Sequence, residues 1–319
     1  MIQHDLSPTA ARLSVTQKRQ VTLLYHFASL DYLKGFQTRL RDFMQFINPR
    51  LDKAALERRD ELLRNGRLKK EDAWDNGIPN GWSFLANFDL SVSEQIIQHA
   101  LDVYSITGMN FYARAFTEFS LQWMIPDEKN EYPSRLEDLE VYSGNIDNTV
   151  DKHGIAGRWD DFCLALEAQR FADVFANANE LRLRLDITSQ SGMVPPRTGV
   201  YLPLDDPHGT PQFCWTGEPS GELKKCSTFN DLGLDALASV GREALWLDDY
   251  CMNQFVQSHL QDPLLRADPY FKDSVNDPEL AASLVARQAF TSRSCEWVYV
   301  EQLHGQPIDW SENPSHAGT

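Results

Sequence analysis

The sequence predicts a mainly α-helical protein that carries a small antiparallel β-sheet in its C-terminal part. Three observations predict it. Apolar residues recur at intervals of three and four through most of residues 14–185, the spacing that lines them along one helix face. The period breaks near residue 190, where "SGMVPPRTGVYLP" (191–203) brings two glycines, three prolines and an alternating run together. Helical patterns then return from residue 230, and "EWVYVEQL" (296–303) supplies a last strand. The expected division is a multi-helix region at 1–188 and an α+β region at 189–319, packed together as one compact unit.

Residues 14–47 read as one long helix or two in succession. Val21, Leu24, Tyr25 and Ala28 fall on one face, with Leu23, Phe27 and Leu30 beside it. Leu33, Phe36, Leu40, Phe43 and Ile47 then step by three and four. Gly35 is a candidate break, and Asn48-Pro49 is the expected end, because an interior proline removes a helix hydrogen bond. "LDKAALERRDELLRNG" (51–66) reads as a shorter helix closed by Asn65-Gly66, and 71–82 as a turn-rich connection. Ser91 and Glu94 have the capping-box spacing, so a helix is expected from there to Gly108. Phe111 to Ile125 follows as its partner, with Tyr112, Phe116, Phe119 and Trp123 in a core stripe. Residues 126–148 read as an acidic connection with a short helix begun at Ser134. A helix resumes from Arg158 to Leu185; Trp159, Phe162 and Leu166, then Phe171, Val174 and Phe175, mark its buried face.

Beyond residue 190, Val200, Leu202 and Leu204 alternate with Tyr201 and Pro203, as in a half-buried strand, and Pro203 points to an edge or an end. "DDPHG" is a turn and "TPQFCW" the return strand. Helices are expected from Asp231, from Asp248-Asp249, and from Pro278 with Asp277 as its N-cap. The 296–303 strand has the 199–215 hairpin as its best partner, giving a sheet of about three strands.

The chemistry-bearing residues form no catalytic motif. Gly192 and Gly199 suggest a phosphate loop, but Pro195 and Pro196 have no N–H to offer, and the segment leads into a strand, not a helix. None of the eight histidines stands in a metal-ligand pair, and no GxSxG elbow is present. Asp160-Asp161, Asp205-Asp206 and Asp248-Asp249 are adjacent pairs, which on a helix do not face one point and read as caps or solvated charge. Nothing argues for an enzyme, and no cofactor or metal is expected. Five cysteines without a CxxC pair fit reduced thiols. With no long apolar segment and no signal-peptide pattern at the N-terminus, the expected address is cytoplasmic.

Charge is uneven. Residues 12–70 carry 14 Lys/Arg against 6 Asp/Glu, residues 71–190 carry 8 against 21, and residues 191–319 carry 8 against 18. The net charge is −16. Such a body repels nucleic acid and attracts basic partners. The basic stretch, with Arg58-Arg59 and Lys69-Lys70, fits an internal contact with the acidic body better than a DNA surface.

Three blocks carry a resemblance: G-x-x-x-P-x-T-G-V-Y at 192–201, P-Q-F-C-W at 211–215, and G-R-x-x-L-W-L-D-D at 241–249. Together they resemble immunity proteins of bacterial polymorphic-toxin and type VI secretion loci, most closely the immunity protein 71 and 72 type. The resemblance implies a non-catalytic inhibitor that binds a cognate toxin and blocks it. A cytoplasmic antidote implies a toxin acting there, and an acidic inhibitor suits a nuclease with a basic substrate surface. The candidate contacts are Glu137, Asp138 and Glu140 in one acidic stretch, and Asp205, Asp206 and Glu218 around the hairpin. The rival readings are an enzyme or small-molecule binder with a site between the helical region and the sheet, and an adaptor acting through its helical face.

Overall fold

A computed structural model describes residues 13–57, 84–118, 121, 123–150 and 159–310. Helix, at 55%, outweighs strand, at 16%, in line with the expected class. By its contacts the chain forms two compact units: Phe27–Arg158, and Met1–His26 together with Trp159–Thr319. The division expected at 188/189 falls instead inside a strand. The helix expected at 51–66 lies outside the described residues beyond Glu57, as do Arg58-Arg59, Lys69-Lys70 and the 71–82 connection.

The Phe27–Arg158 unit is helical. The long N-terminal pattern breaks at Ala28-Ser29, not at Gly35: α1 is Val15–Phe27 and α2 is Leu30–Leu56, with the Ser29 hydroxyl accepting from Tyr32 N. The expected stripe of α2 is buried at Leu33, Phe36, Leu40, Phe43 and Ile47. Pro49 does not end α2. Its missing N–H forfeits one hydrogen bond, while buried Phe46, Ile47 and Ala54 on either side hold the helix to the core. Next comes α3, Phe84–His99, which starts seven residues before Ser91. Phe84, Leu85, Phe88 and Val92 are its buried face, so the capping-box pair lies in mid-helix, and Ser93 Oγ bonds back to the Asp89 carbonyl at 2.8 Å. The α3 helix also stops short of Gly108. The following helix, α4, is Met109–Glu118.

Residues 126–150 form α5, Pro126–Val150, a long helix where an acidic connection was expected. Pro126 stands in the first turn, where its missing N–H costs nothing, and Asp127 and Glu128 suit the positive end of the helix dipole. Glu128 Oε2 accepts from Ile125 N at 3.0 Å, the return half of a capping box. Tyr132, Leu139, Ile146 and Val150 form a narrow buried stripe. Phe36 meets Phe88 edge-on at 5.8 Å, and Phe43 lies 5.7 Å from both Phe116 and Tyr132, so α2 is packed against α3, α4 and α5.

The second unit combines α1 up to His26 with the rest of the chain. The helix expected at 158–185 is cut short: α6 is Asp161–Arg170, a 3-10 turn spans Ala172–Asn177, and Asn179–Gln190 is strand β1. Leu181, Leu183, Leu185 and Ile187 alternate with Arg182, Arg184 and Asp186, a period of two. Strands β2 (Gly199–Pro203), β3 (Gln212–Cys214) and β6 (Glu296–Pro307) complete an antiparallel sheet of order β1-β6-β2-β3, four strands instead of about three. The expected pairing of 296–303 with the hairpin holds, with Val200 opposite Val300 and Tyr201 opposite Tyr299. Lying between two strands, β2 is buried along its whole length rather than on one face. A separate ribbon pairs β4 (Cys226–Phe229) with β5 (Phe290–Arg293).

Helices α7 (Asp231–Val240), α8 (Asp249–Ser258), α9 (Pro263–Ala267), α10 (Phe271–Ser274) and α11 (Pro278–Ala286) fill the intervals. The expected caps are present: Asp248 accepts from Cys251 N at 2.9 Å, and Asp277 from Glu279 N at 3.0 Å. Phe229, Ala236, Trp246, Met252, Phe255, Leu284 and Val285 build a core among these helices and β4. Gly233 lets α7 approach the chain after α11, since a Cβ there would lie 2.4 Å from the Ala289 carbonyl oxygen.

Candidate protein-binding surfaces

The block at 241–249 is built on one buried carboxylate. Asp161, 3% exposed, accepts from Gln20 Nε2 at 2.8 Å, Trp246 Nε1 at 2.8 Å, and both terminal nitrogens of Arg242, one at 2.8 Å. Its neighbour Asp160 is the N-cap of α6, bonded by Cys163 N at 2.7 Å. The adjacent pair therefore does two jobs, a cap and a hub, and solvated charge is neither of them. Burial pushes the Asp160 carboxyl up, against the downward pull of its amide hydrogen bonds.

Gly241 has φ 84°, which glycine adopts freely, but Trp246 has φ 72°, which a bulky residue does not. Such a backbone costs on the order of 1–3 kcal/mol and persists only when its surroundings over-determine it. Here the indole is 2% exposed, hydrogen-bonded to Asp161 and edge-on to Phe162 at 5.6 Å. The turn sends the next residues outward. Leu247 and Tyr250 are 37% and 67% exposed, Asp249 is exposed, and Asp248 caps α8. Asp248-Asp249 start the helix as expected, Asp248 as its N-cap and Asp249 in its first turn; Tyr250 is the exposed residue that those start signals do not single out. The phase of α8 contains the signal: Met252, Phe255 and Val256 face the core, and Tyr250 falls on the opposite side.

The six expected contacts are differently placed. Glu137, Asp138 and Glu140 share the exposed side of α5. Among the described residues Glu137 and Glu140 enter no ion pair, and three residues apart they are neighbours on the surface. Asp138 is committed: it pairs with Arg39 Nε at 3.1 Å, and that guanidinium lies 3.6 Å over the Tyr142 ring. Tyr142 in turn stacks on Tyr32 at 4.6 Å. Asp138 thus adds a half-exposed ion pair between α2 and α5.

In the other unit, Asp205 is exposed and Asp206 is not. Asp206 is 8% exposed and accepts from His208 N and Arg293 Nε, both at 2.9 Å. Burial pushes its carboxyl up, but the bonds from His208, Thr228 and Arg293 outweigh it and hold it below the ordinary range. Asp206 is a fold residue, unavailable to a partner, which corrects the expectation. Asp205 lies 3.4 Å from the same Arg293. Glu218 stands exposed on the loop after β3, braced by Trp215 Nε1 on the Pro219 carbonyl at 3.0 Å, and shares no partner with them among the described residues.

In the helical unit, Leu33, Gln95, His99, Val103, Ile146 and Val150 are among the residues lining a cavity of about 20 Å³, room for one water. Gln95, one of the lining residues, has its Oε1 buried with no hydrogen-bond donor in reach. Among the described residues no cluster of three His, Cys, Asp or Glu could hold a metal ion, and no helix is long and apolar enough to cross a membrane. What the described surfaces offer is carboxylate, aromatic and aliphatic contact on rigid supports. Compared with protein-family models, curated proteins and solved structures, the chain matches none.

Proposed function

We propose that this chain is an immunity protein that binds a cognate toxin acting in the cytoplasm and holds it inactive by occlusion, with no chemistry of its own. The surface at Leu247–Tyr250 carries the reading. An exposed tyrosine beside a leucine and a free carboxylate, on a turn locked from below, is the composition of a protein-binding anchor. Rigid support lowers the ordering cost of binding. The block that resembles the immunity family is the one that builds this support, through Gly241, Arg242 and Trp246.

A nuclease is the toxin class the charge favours. Its substrate surface must be basic, and a chain of net charge −16 is drawn to it. Glu137, Glu140 and Asp249 supply exposed carboxylates that enter no ion pair among the described residues. The test is to look for a toxin gene beside this one and to co-express its product with this chain. Growth should be rescued and the two chains should purify together. A toxin that is neither bound nor neutralised would remove the immunity reading altogether.

A further inference from the structure

Three arginines of the second unit converge on one carboxylate, and one of them is left without a hydrogen bond. Glu301 on β6 stands directly opposite Arg182 on β1. Its Oε2 accepts from Arg182 through Nη2 and through Nε at 3.1 Å, and Arg184 Nη1 lies 3.2 Å from both of its oxygens. Arg184 spends Nε and Nη2 on Asp186, at 2.9 and 2.7 Å. Arg197, in the link before β2, comes third: its Nη1 is 3.9 Å from Glu301 Oε1, an ion-pair distance too long for a hydrogen bond. Among the described residues its guanidinium makes no hydrogen bond, and its side chain is 51% exposed.

A merely solvated arginine needs no support, and this one is held. Tyr201, fully buried, spends its hydroxyl on the Arg197 backbone, accepting from the N–H at 3.1 Å and donating to the carbonyl at 2.7 Å. The guanidinium lies 5.3 Å over the ring of Tyr299, which is itself buried and stands opposite both Arg184 and Tyr201 in the sheet. On the other oxygen of Glu301, Arg182 is half-exposed and keeps Nη1 unused. Two open guanidinium edges therefore flank one carboxylate. We propose that Arg182 and Arg197 form a binding site for the carboxylate group of a ligand, held between the two guanidiniums beside Glu301. Charge sets the class. Glu180, on the same face of β1, together with Asp186 and Glu301, matches the three guanidiniums in number. The patch thus has no surplus charge to draw a polyanion from a distance, and what it offers is directed donors at short range. Arg182 and Arg184 hold the Glu301 carboxyl below the ordinary range, so it stays ionised. A planar, singly charged carboxylate matches guanidinium forks, whereas a phosphate of charge about −1.5 to −2 meets more repulsion from the same three acids.

The experiment titrates the native full-length chain, labelled with nitrogen-15, at constant ionic strength with sodium acetate, with N-acetyl-Gly-Glu-Gly-amide and with inorganic phosphate. It follows the arginine Nε–Hε signals by NMR, assigned through single Arg-to-Lys substitutions. The expected result is saturable shifts of the Arg182 and Arg197 signals with one shared dissociation constant, while the signals of Arg41 and Arg266 stay in place. R197A should abolish saturation at Arg182, and R197K, which keeps the charge and loses the fork, should weaken binding about tenfold; circular dichroism checks that both variants fold. Tighter binding of the peptide than of acetate places the ligand's carboxylate on a polypeptide, and saturation by acetate alone places it on a free acid. Phosphate binding more tightly than either carboxylate, shifts that rise without saturating, or shifts spread equally to Arg41 and Arg266 would overturn the proposal.

Discussion

Replacing Asp161 by alanine removes the acceptor on which three residues of the second unit converge. The substitution leaves the Arg242 guanidinium, the Trp246 indole N–H and the Gln20 amide without their carboxylate. Breaking a buried ion pair by removing one partner costs about 3–5 kcal/mol. Arg242 is 36% exposed at its side chain and can turn partly to water, which places its share at the low end. Trp246 cannot: it is 2% exposed, and an orphaned buried donor costs about 1–3 kcal/mol. The expected loss is therefore about 3–4 kcal/mol, read as a lower urea midpoint at unchanged m-value. W246F removes the N–H together with the five-membered part of the indole, leaving a void in the core, and should cost about 2–4 kcal/mol. A loss below about 1 kcal/mol for D161A would refute the hub, since surface carboxylates cost no more than that.

E137K/E140K should leave the urea midpoint within about 0.5 kcal/mol of wild type, whereas D138K should fall further because it repels Arg39 and frees its clamp on Tyr142; equal midpoints would deny Asp138 its structural role. Asp206 and Asp268 both have carboxyls held below the ordinary range, Asp268 chiefly by Arg287 at 2.8 Å. Their stabilisation is complete above the ordinary aspartate pKa of about 3.9 and drains as pH falls through the lower folded-state values; D206N and D268N should each flatten the acid limb of a stability–pH curve. Asp160 is the reverse case, raised by burial, so its contribution is present at low pH and is lost as pH rises through the folded-state value. D160N keeps a good N-cap without the buried charge and should match or exceed wild-type stability at pH 7, while D160A should lose about 1 kcal/mol by thermal melt.

Local signals were the legible ones. The α2 stripe, the Asp248 and Asp277 caps and the pairing of β6 with the hairpin each follow from a few neighbouring residues. The long α5 was hidden because only four of its buried residues are apolar, spread over 25 positions, and the charge between them reads as a loop. In β1 the alternation of Leu with Arg was visible, but both are strong helix formers and the preceding segment is helical. Adjacent aspartates could not be told apart in sequence. Asp161 and Asp206 are buried and their neighbours are not so committed to the core, because burial depends on Arg242, Trp246 and Arg293, which lie 81 to 87 residues away. Nothing in a tryptophan announces a positive φ, so the turn that exposes Tyr250 emerges only from the fold.

The most direct test of the account is kinetic: association and dissociation rates of the purified chain with its cognate toxin domain, at about 0.05 M and about 0.5 M salt. Wild type should associate about tenfold or more faster at low salt. E137K/E140K should lose much of that advantage with little change in dissociation. Y250A should dissociate about 30-fold faster, the mark of a lost anchor worth about 2 kcal/mol. Rates that ignore salt and both substitutions would contradict the claim that these carboxylates and Tyr250 hold the toxin.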